Sequence, residues 1–282
     1  MNCVIIDGPA IRKKVLSDLK PEITLIQPVL HIHVVGVNPV IETYVKAKHA
    51  AGERVGIHVE IIRHDATISE DALIDALLHS AAHCDGMILQ LPLPEHIDRQ
   101  KVLNTIPTEK DADLLSDKTW LRFENEITKL IPPVAGAVLL ALDAYNIDVY
   151  RKKVAIVGYG KLVGQPVAIV LKRRGAYIDV IDSKTSDMAK EKILRDADIV
   201  VTGVGRQGLI RPESVKDGVV LLDGGTSESE GGTAGDIALE CETRASYFAR
   251  VPGGLGPLTV ASLLKNVVEL ARVRAGTSTE TS

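Results

Sequence analysis

Short runs of apolar residues recur at intervals along this chain, and each has the length of a buried β-strand. They lie at residues 30–35, 59–62, 86–91, 154–157, 177–181, 199–202 and 219–222. Helix-length segments such as 71–82 and 166–174 lie between most of them, with apolar positions repeating every three to four residues. Strands that are apolar on both faces are typical of parallel sheets covered by helices. The alternation therefore predicts an α/β fold.

The pattern is interrupted between residues 114 and 136. Residues 116–129 are polar without a clear period, so we expect irregular structure there, and Ile131-Pro132-Pro133 then blocks regular backbone hydrogen bonding. A chain of 282 residues is long enough for two domains. The sequence predicts one domain over residues 1–118 and a second over 136–257. Residues 258–274 are predicted to form an amphipathic helix, and residues 275–282 a disordered tail.

Composition narrows the classes of function. Aromatic residues make up 3% of the chain, so the core must be aliphatic, and the net charge of -4 offers no basic surplus for nucleic acid or a membrane surface. No apolar run approaches the ~18 residues of a spanning helix, and the N-terminus lacks the features of a signal peptide. Cys3, Cys84 and Cys241 are far apart, which favours a reducing cytoplasm over a disulfide framework or a metal site.

A glycine-rich turn follows the apolar run at 154–157. Gly158, Gly160 and Gly164 give the spacing G-x-G-x-x-x-G between a predicted strand and a predicted helix, and the next strand ends in Asp182. Such glycines let the backbone approach a pyrophosphate at a helix N-terminus, while an acid after the second strand binds ribose hydroxyls. The pattern predicts a dinucleotide site, with a purely structural turn as the alternative. Two later strand ends are also rich in glycine, at Gly203, Gly205, Gly224 and Gly225.

A lysine stands out on the helix predicted over residues 39–56. Its expected apolar stripe consists of Val40, Tyr44, Ala47, Ala51 and Val55. Tyr44 and Lys48 are four residues apart and therefore share a face. Partial burial beside the stripe could lower the pKa of Lys48 into the range of a general acid or base. The alternative is an ordinary lysine whose stem lies along the helix surface.

Several short motifs occur together in one order along the chain. They are Ile6-Asp7-Gly8, Tyr44-x-x-x-Lys48, Gln90-Leu-Pro-Leu-Pro, Lys110-Asp-x-Asp113, the glycine turn at 158–164 and Pro252-Gly-Gly-x-Gly-Pro. This set resembles the bifunctional methylenetetrahydrofolate dehydrogenase/cyclohydrolase family, and the resemblance runs to about Ala271. It implies an N-terminal α/β folate-binding domain, a C-terminal Rossmann-type parallel sheet, and a final helix that packs back on the N-terminal domain.

The same resemblance implies an activity and a state of assembly. The family oxidises methylenetetrahydrofolate with a nicotinamide cofactor and hydrolyses the methenyl product to 10-formyltetrahydrofolate. Its members are usually homodimers. We therefore expect an enzyme of one-carbon folate metabolism whose substrates are tetrahydrofolate derivatives and which uses no metal ion.

Residue roles follow from the resemblance as well. Lys48 would be the general acid/base of hydrolysis, Tyr44 would stack on the folate, Gln90 would hold the lysine, and Asp113 would grip the pterin. The expected substrate-binding residues are Tyr44, Gln90, Leu91, Asp113, Gly253, Gly254 and Pro257. The expected cofactor-binding residues are Gly158, Tyr159, Gly160, Val163, Gly164, Asp182, Ser183, Gly203, Val204, Gly205 and Gly225.

The chain departs from the family at three places around the expected folate site. Ile41 replaces a serine, Leu114 replaces a glycine, and 131–134 reads Ile-Pro-Pro-Val where the family usually has Pro-Cys-Thr-Pro. Two alternatives therefore stay open beside the bifunctional enzyme. One is a cyclohydrolase with a weak dehydrogenase, and the other is a non-catalytic dinucleotide-binding homologue.

The cofactor turn departs from the family too. Tyr159 and Gly160 stand where an arginine and a serine usually help to hold the 2′-phosphate of NADP, and Asp182 replaces a neutral residue. A carboxylate ~4 Å from a phosphate would cost on the order of 4 kcal/mol at an effective dielectric of about 20. Lysines or an arginine nearby could offset this cost, namely Lys161, Lys184 and Arg206. We expect NADP from the resemblance and keep NAD open because of Tyr159 and Asp182.

Overall fold

The computed structural model describes residues 2–225, 227–229 and 232–276. Most of the predicted tail therefore lies outside the described residues. Within them the chain forms two compact units. Residues 2–14 and 132–259 form one, here called the six-stranded unit, and residues 15–131 and 260–276 form the other, the three-stranded unit. The boundaries between these compact units lie near residues 14, 131 and 259. The domain limits predicted from the sequence, 1–118 and 136–257, stay predictions.

Strands and helices alternate along the described residues. The strands are β1 (Val4–Ile5), β2 (Val29–Val35), β3 (His58–His64), β4 (Gly86–Leu89), β5 (Lys153–Val157), β6 (Tyr177–Ile181), β7 (Ile199–Thr202), β8 (Val219–Asp223), β9 (Ser227–Ser229), β10 (Gly232–Ala234) and β11 (Ala245–Ala249). The α-helices are α1 (Gly8–Ile26), α2 (Pro39–Val55), α3 (Glu70–Ala81), α4 (Arg99–Leu103), α5 (Asp117–Glu124), α6 (Pro133–Ala144), α7 (Gly164–Arg173), α8 (Asp187–Asp196) and α9 (Leu255–Arg274). None of the described helices is long and apolar enough to cross a membrane. The predicted α/β class is confirmed.

The six-stranded unit is built on a parallel sheet in the order β1-β11-β8-β7-β5-β6. Its central strands β5, β7 and β8 are buried aliphatic runs, which is why they read as continuous apolar segments. Val157, Thr202 and Asp223 end β5, β7 and β8, and they are neighbours in register. The loops that follow these three strands therefore leave the sheet at the same edge. This is the Rossmann-type sheet that the resemblance implied.

The N-terminal segment belongs to the six-stranded unit, whereas the sequence places it in the N-terminal domain. Val4 and Ile5 of β1 pair with β11, whose sequence position is about 240 residues away. The hydroxyl of Tyr145 accepts a hydrogen bond from the backbone nitrogen of Asp7 at 3.1 Å and donates one to the carbonyl of Ile5 at 3.3 Å. These long-range hydrogen bonds fix the segment.

The three-stranded unit contains a parallel sheet in the order β3-β2-β4. Helix α9 joins this unit from Val260 onwards. Its Asn266 Nδ2 donates to the carbonyls of Ala112 and Ile131 at 2.9 and 2.8 Å, and Arg274 Nε lies 2.8 Å from Asp85 Oδ1. Arg272 adds an ion pair with Glu22. The final helix thus packs on the N-terminal part of the chain, as predicted.

The expectation of irregular structure over residues 116–129 is wrong for its first part. Helix α5 occupies Asp117–Glu124, and the Ser116 side chain caps it by accepting from the backbone nitrogen of Thr119. Trp120 and Phe123 are buried, with ring centroids 5.6 Å apart. A cap and two aromatic residues three apart were enough to form a helix in a segment too short and polar to show a period.

A chain of hydrogen-bonded histidines starts on β2, where His31 and His33 are buried, and ends at the partly exposed His64 of β3. Ser80 Oγ is 2.6 Å from His31 Nδ1 and 2.9 Å from His33 Nε2, and His33 Nδ1 is 2.9 Å from His64 Nε2. A neutral imidazole donates from one nitrogen and accepts at the other, so the chain is satisfied with all three rings neutral. Burial, with smaller contributions from His64 and His31, lowers the pKa of His33 to about 3.

Acidification is therefore expected to destabilise the protein before its carboxylates titrate. The unfolded chain takes up a proton at His33 near pH 6.5 while the folded chain does not, so stability falls as pH drops below that value. From His33 alone the free energy of unfolding should fall by about 2 kcal/mol between pH 7 and pH 5. Urea unfolding at both pH values measures this. His33→Gln should reduce the pH dependence, whereas His79→Gln on the exposed side of α3 should leave it as in the wild type.

Candidate active site

The buried face of α2 carries Lys48. Ile41, Val45 and Val55 are buried on this face, and Lys48 lies on it at the same helical spacing. The stripe predicted from the sequence is therefore partly wrong: Ala47 is exposed and Tyr44 is 40% exposed. The side chain of Val40 is not described. The helix is rotated so that the lysine, and not the tyrosine, extends the apolar stripe.

Lys48 is held by the side chain that follows β4. Its Nζ donates a hydrogen bond of 2.9 Å to Gln90 Oε1, and Gln90 Nε2 in turn donates to the Leu91 carbonyl at 3.0 Å. The backbone nitrogen of Gln90 donates to the carbonyl of His33 at 2.9 Å, which ties the glutamine to β2. Burial lowers the pKa of Lys48, and the carboxylate of Asp113 opposes that shift. The neutral amine is thereby made accessible for accepting a proton.

Asp113 is the acidic partner of this lysine. Its segment extends the sheet, because Met87 donates to the carbonyl of Lys110 at 2.7 Å and accepts from the backbone nitrogen of Ala112 at 3.3 Å. Burial raises the pKa of Asp113, Lys48 lowers it, and Asp111 raises it. Loss of water outweighs the mutual attraction of the pair, so each group is shifted toward its neutral form. The structure thus brings three of the predicted residues together: Lys48, Gln90 and Asp113.

The turn after Asp113 keeps a left-handed backbone without the family's glycine. Leu114 has φ of 56° and is 1% exposed. This conformation costs a non-glycine residue about 1 kcal/mol or more. The buried carboxylate of Asp111 stabilises the turn by accepting from the backbone nitrogens of Leu115 and Ser116 at 3.3 and 2.9 Å. Asp111 therefore has a structural role, and the turn survives the substitution.

Tyr44 lies one helical turn before Lys48 beside the buried face, and Ile41 lies two turns before Lys48 on the buried face itself. Tyr44 is 40% exposed, so part of its side chain is accessible to a planar ligand. Ile41, where the family has serine, is 6% exposed and belongs to the core. At this position the serine hydroxyl of the family is therefore replaced by an apolar side chain that packs in the core.

The glycine turn of the six-stranded unit has the shape of a phosphate cradle. Gly158 has φ of 87° and its backbone nitrogen donates to the carbonyl of Ile181 at 2.8 Å. A Cβ at Gly164 would lie 1.9 Å from the carbonyl oxygen of Gly158, whereas a Cβ at Gly160 would have no atom within 4 Å. Helix α7 begins here without a side-chain cap, although the backbone nitrogen of Gln165 already donates to the carbonyl of Gly160 at 3.1 Å and Pro166 has no N–H. These residues fit a dinucleotide.

This geometry separates two glycine substitutions. Gly160→Ala is expected to fold normally but to weaken dinucleotide binding about tenfold, because its methyl group enters the open side of the cradle that a pyrophosphate would occupy. Gly164→Ala should lower the melting temperature as well, since it forces the turn apart. Fluorescence titration with NADP, together with a thermal melt, measures both. Unchanged NADP affinity in Gly160→Ala would remove this turn from the cofactor site.

The neighbouring strand ends complete the cradle. Val163 packs on Gly203, where a Cβ would lie 2.4 Å from Val163 Cγ1, and Val204 lies against Gly158 in the same way at 2.9 Å. Gly205 has φ of 75°. Within this unit the structure therefore brings together the predicted residues of the turn and of the loop after β7.

Asp182 and Ser183 follow β6, in the turn that precedes α8. Asp182 is exposed, and its Oδ1 accepts from the backbone nitrogens of Lys184 and Thr185 at 2.9 and 3.1 Å and from Thr185 Oγ1 at 3.0 Å. These hydrogen bonds lower the pKa of Asp182. Its carboxylate is therefore ionised, with one oxygen engaged by its own turn.

The glycine-proline loop before α9 also lies in the six-stranded unit. Gly8 donates to the carbonyl of Gly253 at 2.9 Å, and a Cβ at Gly8 would lie 2.0 Å from the carbonyl oxygen of Gly254. Gly253 has φ of 101°, and Pro257 lies in the first turn of α9. The close approach explains why glycine is needed in the Ile6-Asp7-Gly8 motif. The predicted roles of Gly253, Gly254 and Pro257 in folate binding stay predictions.

Two buried aspartates were not among the residues predicted for the site. Asp223 and Asp236 bind backbone groups of the loops that contain Val204 and Gly225. Asp223 ends an apolar run that the sequence does reveal, but Asp236 follows a glycine in an irregular segment and carries no sequence signal. Among the described residues, no group of three or more His, Cys, Asp and Glu side chains could hold a metal ion.

Comparison with known proteins identifies the family. A family model described as tetrahydrofolate dehydrogenase/cyclohydrolase, catalytic domain, matches residues 6–113, and one described as the NAD(P)-binding domain of the same family matches residues 132–275. Bifunctional protein FolD of Moorella thermoacetica is 36% identical over 96% of this chain and 100% of its own length.

Solved structures agree with this result. The bifunctional enzyme FolD of Campylobacter jejuni has a TM-score of 0.91 and 32% identity, covering 96% of this chain and 99% of its own. The dehydrogenase-cyclohydrolase of Trypanosoma brucei, in a complex with NADP and an inhibitor, has a TM-score of 0.91 and 31% identity, covering 97% and 98%. The resemblance drawn from the motifs is confirmed. The chain belongs to the tetrahydrofolate dehydrogenase/cyclohydrolase family.

Proposed function

We propose that this protein oxidises 5,10-methylenetetrahydrofolate with NADP and hydrolyses the 5,10-methenyl product to 10-formyltetrahydrofolate. The observation that carries the proposal is the hydrogen bond from Lys48 Nζ to Gln90 Oε1, with Asp113 as the lysine's acidic partner. A half-buried lysine whose pKa is lowered is a costly feature for a protein that does no proton transfer. This favours an active enzyme over a non-catalytic homologue.

Hydrolysis needs a base that later returns its proton. Water adds to the methenyl carbon, and Lys48 Nζ takes the proton that this water loses. Lys48 then returns its proton to N5 as the bond from that carbon to N5 breaks, the hydroxyl of the adduct loses its proton to solvent as it becomes the carbonyl, and the formyl group stays on N10. Gln90 holds the lysine in one orientation by accepting one of its hydrogens, which leaves the lone pair free. Asp113 would accept hydrogen bonds from the amino group and ring nitrogen of the pterin.

Oxidation depends mainly on positioning. NADP, when bound, takes up a hydride from the methylene carbon. The chain contributes the turn at Gly158–Gly164 for the pyrophosphate and the loop after β7 for the rest of the dinucleotide. The open space at Gly160 supports this assignment.

NADP is proposed ahead of NAD. The family relative from Trypanosoma brucei is complexed with NADP. NAD remains the alternative that Tyr159 and the ionised Asp182 favour.

Two assays side by side test the proposal. One follows oxidation of methylenetetrahydrofolate with NADP and with NAD, and the other follows hydrolysis of supplied methenyltetrahydrofolate. We expect turnover in both assays and a higher kcat/KM with NADP. Hydrolysis without oxidation would leave a single-function cyclohydrolase, and a higher kcat/KM with NAD would assign the cofactor choice to Asp182. If neither assay detected turnover, the proposal that the protein is an enzyme of folate metabolism would be contradicted.

We also propose that the protein works in a reducing cytoplasm and that it forms a homodimer. Cys84 and Cys241 are free and buried. Burial raises the pKa of these thiols to about 11 and about 12, so they are unreactive at neutral pH. The homodimer is proposed from the family alone, and sedimentation analysis would test it.

A further inference from the structure

Two carboxylates lie buried beneath the loops at the carboxyl edge of the large sheet. Asp223 is 1% exposed and Asp236 is 0% exposed. Asp223 is the last residue of β8, and Asp236 lies in the segment that leads from β10 to β11. Buried carboxylates are stable only when hydrogen bonds replace the lost water, so their partners show what they hold.

Asp223 joins the ends of two strands to the segment that carries the second acid. Its Oδ1 accepts from Thr202 Oγ1 at 3.0 Å, from the backbone nitrogen of Gly225 at 3.0 Å and from that of Asp236 at 3.1 Å. Its Oδ2 accepts from the backbone nitrogen of Ile237 at 2.9 Å. Thr202 ends β7 and Asp223 ends β8, so the hydrogen bonds of Asp223 fix the backbone at Asp236 relative to the ends of both strands.

Asp236 holds the loop that follows β7. Its Oδ2 accepts from the backbone nitrogen of Val204 at 2.7 Å, and its Oδ1 accepts from that of Arg206 at 2.6 Å. One carboxylate therefore binds the two ends of a three-residue stretch centred on Gly205. The fit is close, because a Cβ at Gly225 would lie 2.1 Å from Asp236 Oδ2.

The loop held in this way lies against the glycine turn. A Cβ at Gly158 would be 2.9 Å from Val204 Cγ2 and 3.0 Å from the carbonyl oxygen of Gly203. We propose that Asp236, itself fixed by Asp223, is the positioning residue that sets the loop 203–206 for dinucleotide binding. The inference rests on the proposed function, since it assigns this loop to NADP, and it adds two residues that bind no ligand themselves.

The chemistry requires an acid at position 236. Both oxygens of a carboxylate accept hydrogen bonds, which matches the two N–H groups of Val204 and Arg206. An asparagine of the same size has one oxygen and one NH₂ group. The NH₂ group would face an N–H group, so one end of the loop would lose its partner while the volume of the side chain stayed the same.

Asp236→Asn tests the proposal, with Asp198→Asn as the matched control. Asp198 precedes β7 at the opposite edge of the same sheet, where it also holds two partners, the backbone nitrogen of Lys153 at 2.9 Å and Lys216 Nζ at 2.6 Å. For each full-length variant the Kd of NADP is measured by fluorescence titration. The KM values of NADP and methylenetetrahydrofolate, the rate of methenyl hydrolysis without dinucleotide, and the melting temperature are measured on the same preparations.

The proposal predicts that Asp236→Asn raises the Kd and KM of NADP by about tenfold or more, the effect of one unpaired backbone group. The KM of the folate and the rate of methenyl hydrolysis should stay within about twofold of the wild type, and Asp198→Asn should change neither cofactor constant. Unchanged NADP constants in Asp236→Asn would overturn the proposal. An equal fall of both activities with the melting temperature would also overturn it, because the acids would then serve stability alone. A wild-type chain that binds no dinucleotide would instead overturn the proposed function, and this inference with it.

Discussion

Lys48→Met is expected to lower the rate of methenyltetrahydrofolate hydrolysis by ~100-fold or more, the contribution of a positioned general acid/base. Methionine has nearly the length of lysine and suits the apolar face of α2, so the helix should remain folded. The substitution removes the amine of Lys48. Burial lowers the pKa of this amine, and the amine donates a hydrogen bond to Gln90 Oε1. The measurement is kcat for hydrolysis of supplied methenyltetrahydrofolate.

Lys46→Met is the matched control. Lys46 lies on the same helix, two residues before Lys48, and is exposed. It should hydrolyse the substrate at the wild-type rate. Full hydrolysis by Lys48→Met would show that another group is the base, and an equal loss in both variants would point to damage of the helix.

Asp113→Ala is expected to weaken the binding of methenyltetrahydrofolate by about 1–3 kcal/mol, because the pterin's donors would lose their acceptor. A second effect follows from the lysine pair. The Asp113 carboxylate opposes the lowering of the Lys48 pKa, so its removal should lower that pKa further. Hydrolysis depends on the neutral amine, and the rising limb of its pH–rate profile should therefore move to lower pH.

The substrate Kd and the pH–rate profile together make the Asp113 test specific. Asp75→Ala is the control, on the exposed side of α3 in the same unit. It should change neither quantity. If Asp113→Ala bound the substrate with the wild-type Kd, Asp113 would not belong to the folate site. If the pH–rate profile did not move, the Asp113 carboxylate would not influence the pKa of Lys48.

The parts of the fold that depend on local pattern could be predicted from the sequence. The run at 154–157 followed by Gly158, Gly160 and Gly164 gives a strand, a tight turn and a helix start through neighbouring residues alone. Lys48 could be singled out because residues four apart share a helix face. The buried face of α2 was predicted wrongly. Tyr44 and Ala47 are apolar residue types, but in the structure they lie outside the buried stripe.

Features that depend on distant partners could not be predicted. Strand β1 has two residues and becomes a strand only because β11 pairs with it. Asp236 acquires its role from backbone groups about thirty residues earlier. Leu114 shows the converse case, because a leucine gives no sequence sign of a left-handed turn that the buried Asp111 stabilises.

The central claim is that one chain carries both steps, and the products of a single incubation test it most directly. Wild-type protein is incubated with methylenetetrahydrofolate and NADP, and NADPH, methenyltetrahydrofolate and 10-formyltetrahydrofolate are quantified over time. We expect one 10-formyltetrahydrofolate for each NADPH from the wild type, whereas Lys48→Met should accumulate methenyltetrahydrofolate because it hydrolyses this compound ~100-fold or more slowly. NADPH formed by the wild type while the methenyl compound accumulates, or no NADPH at all, would contradict the account.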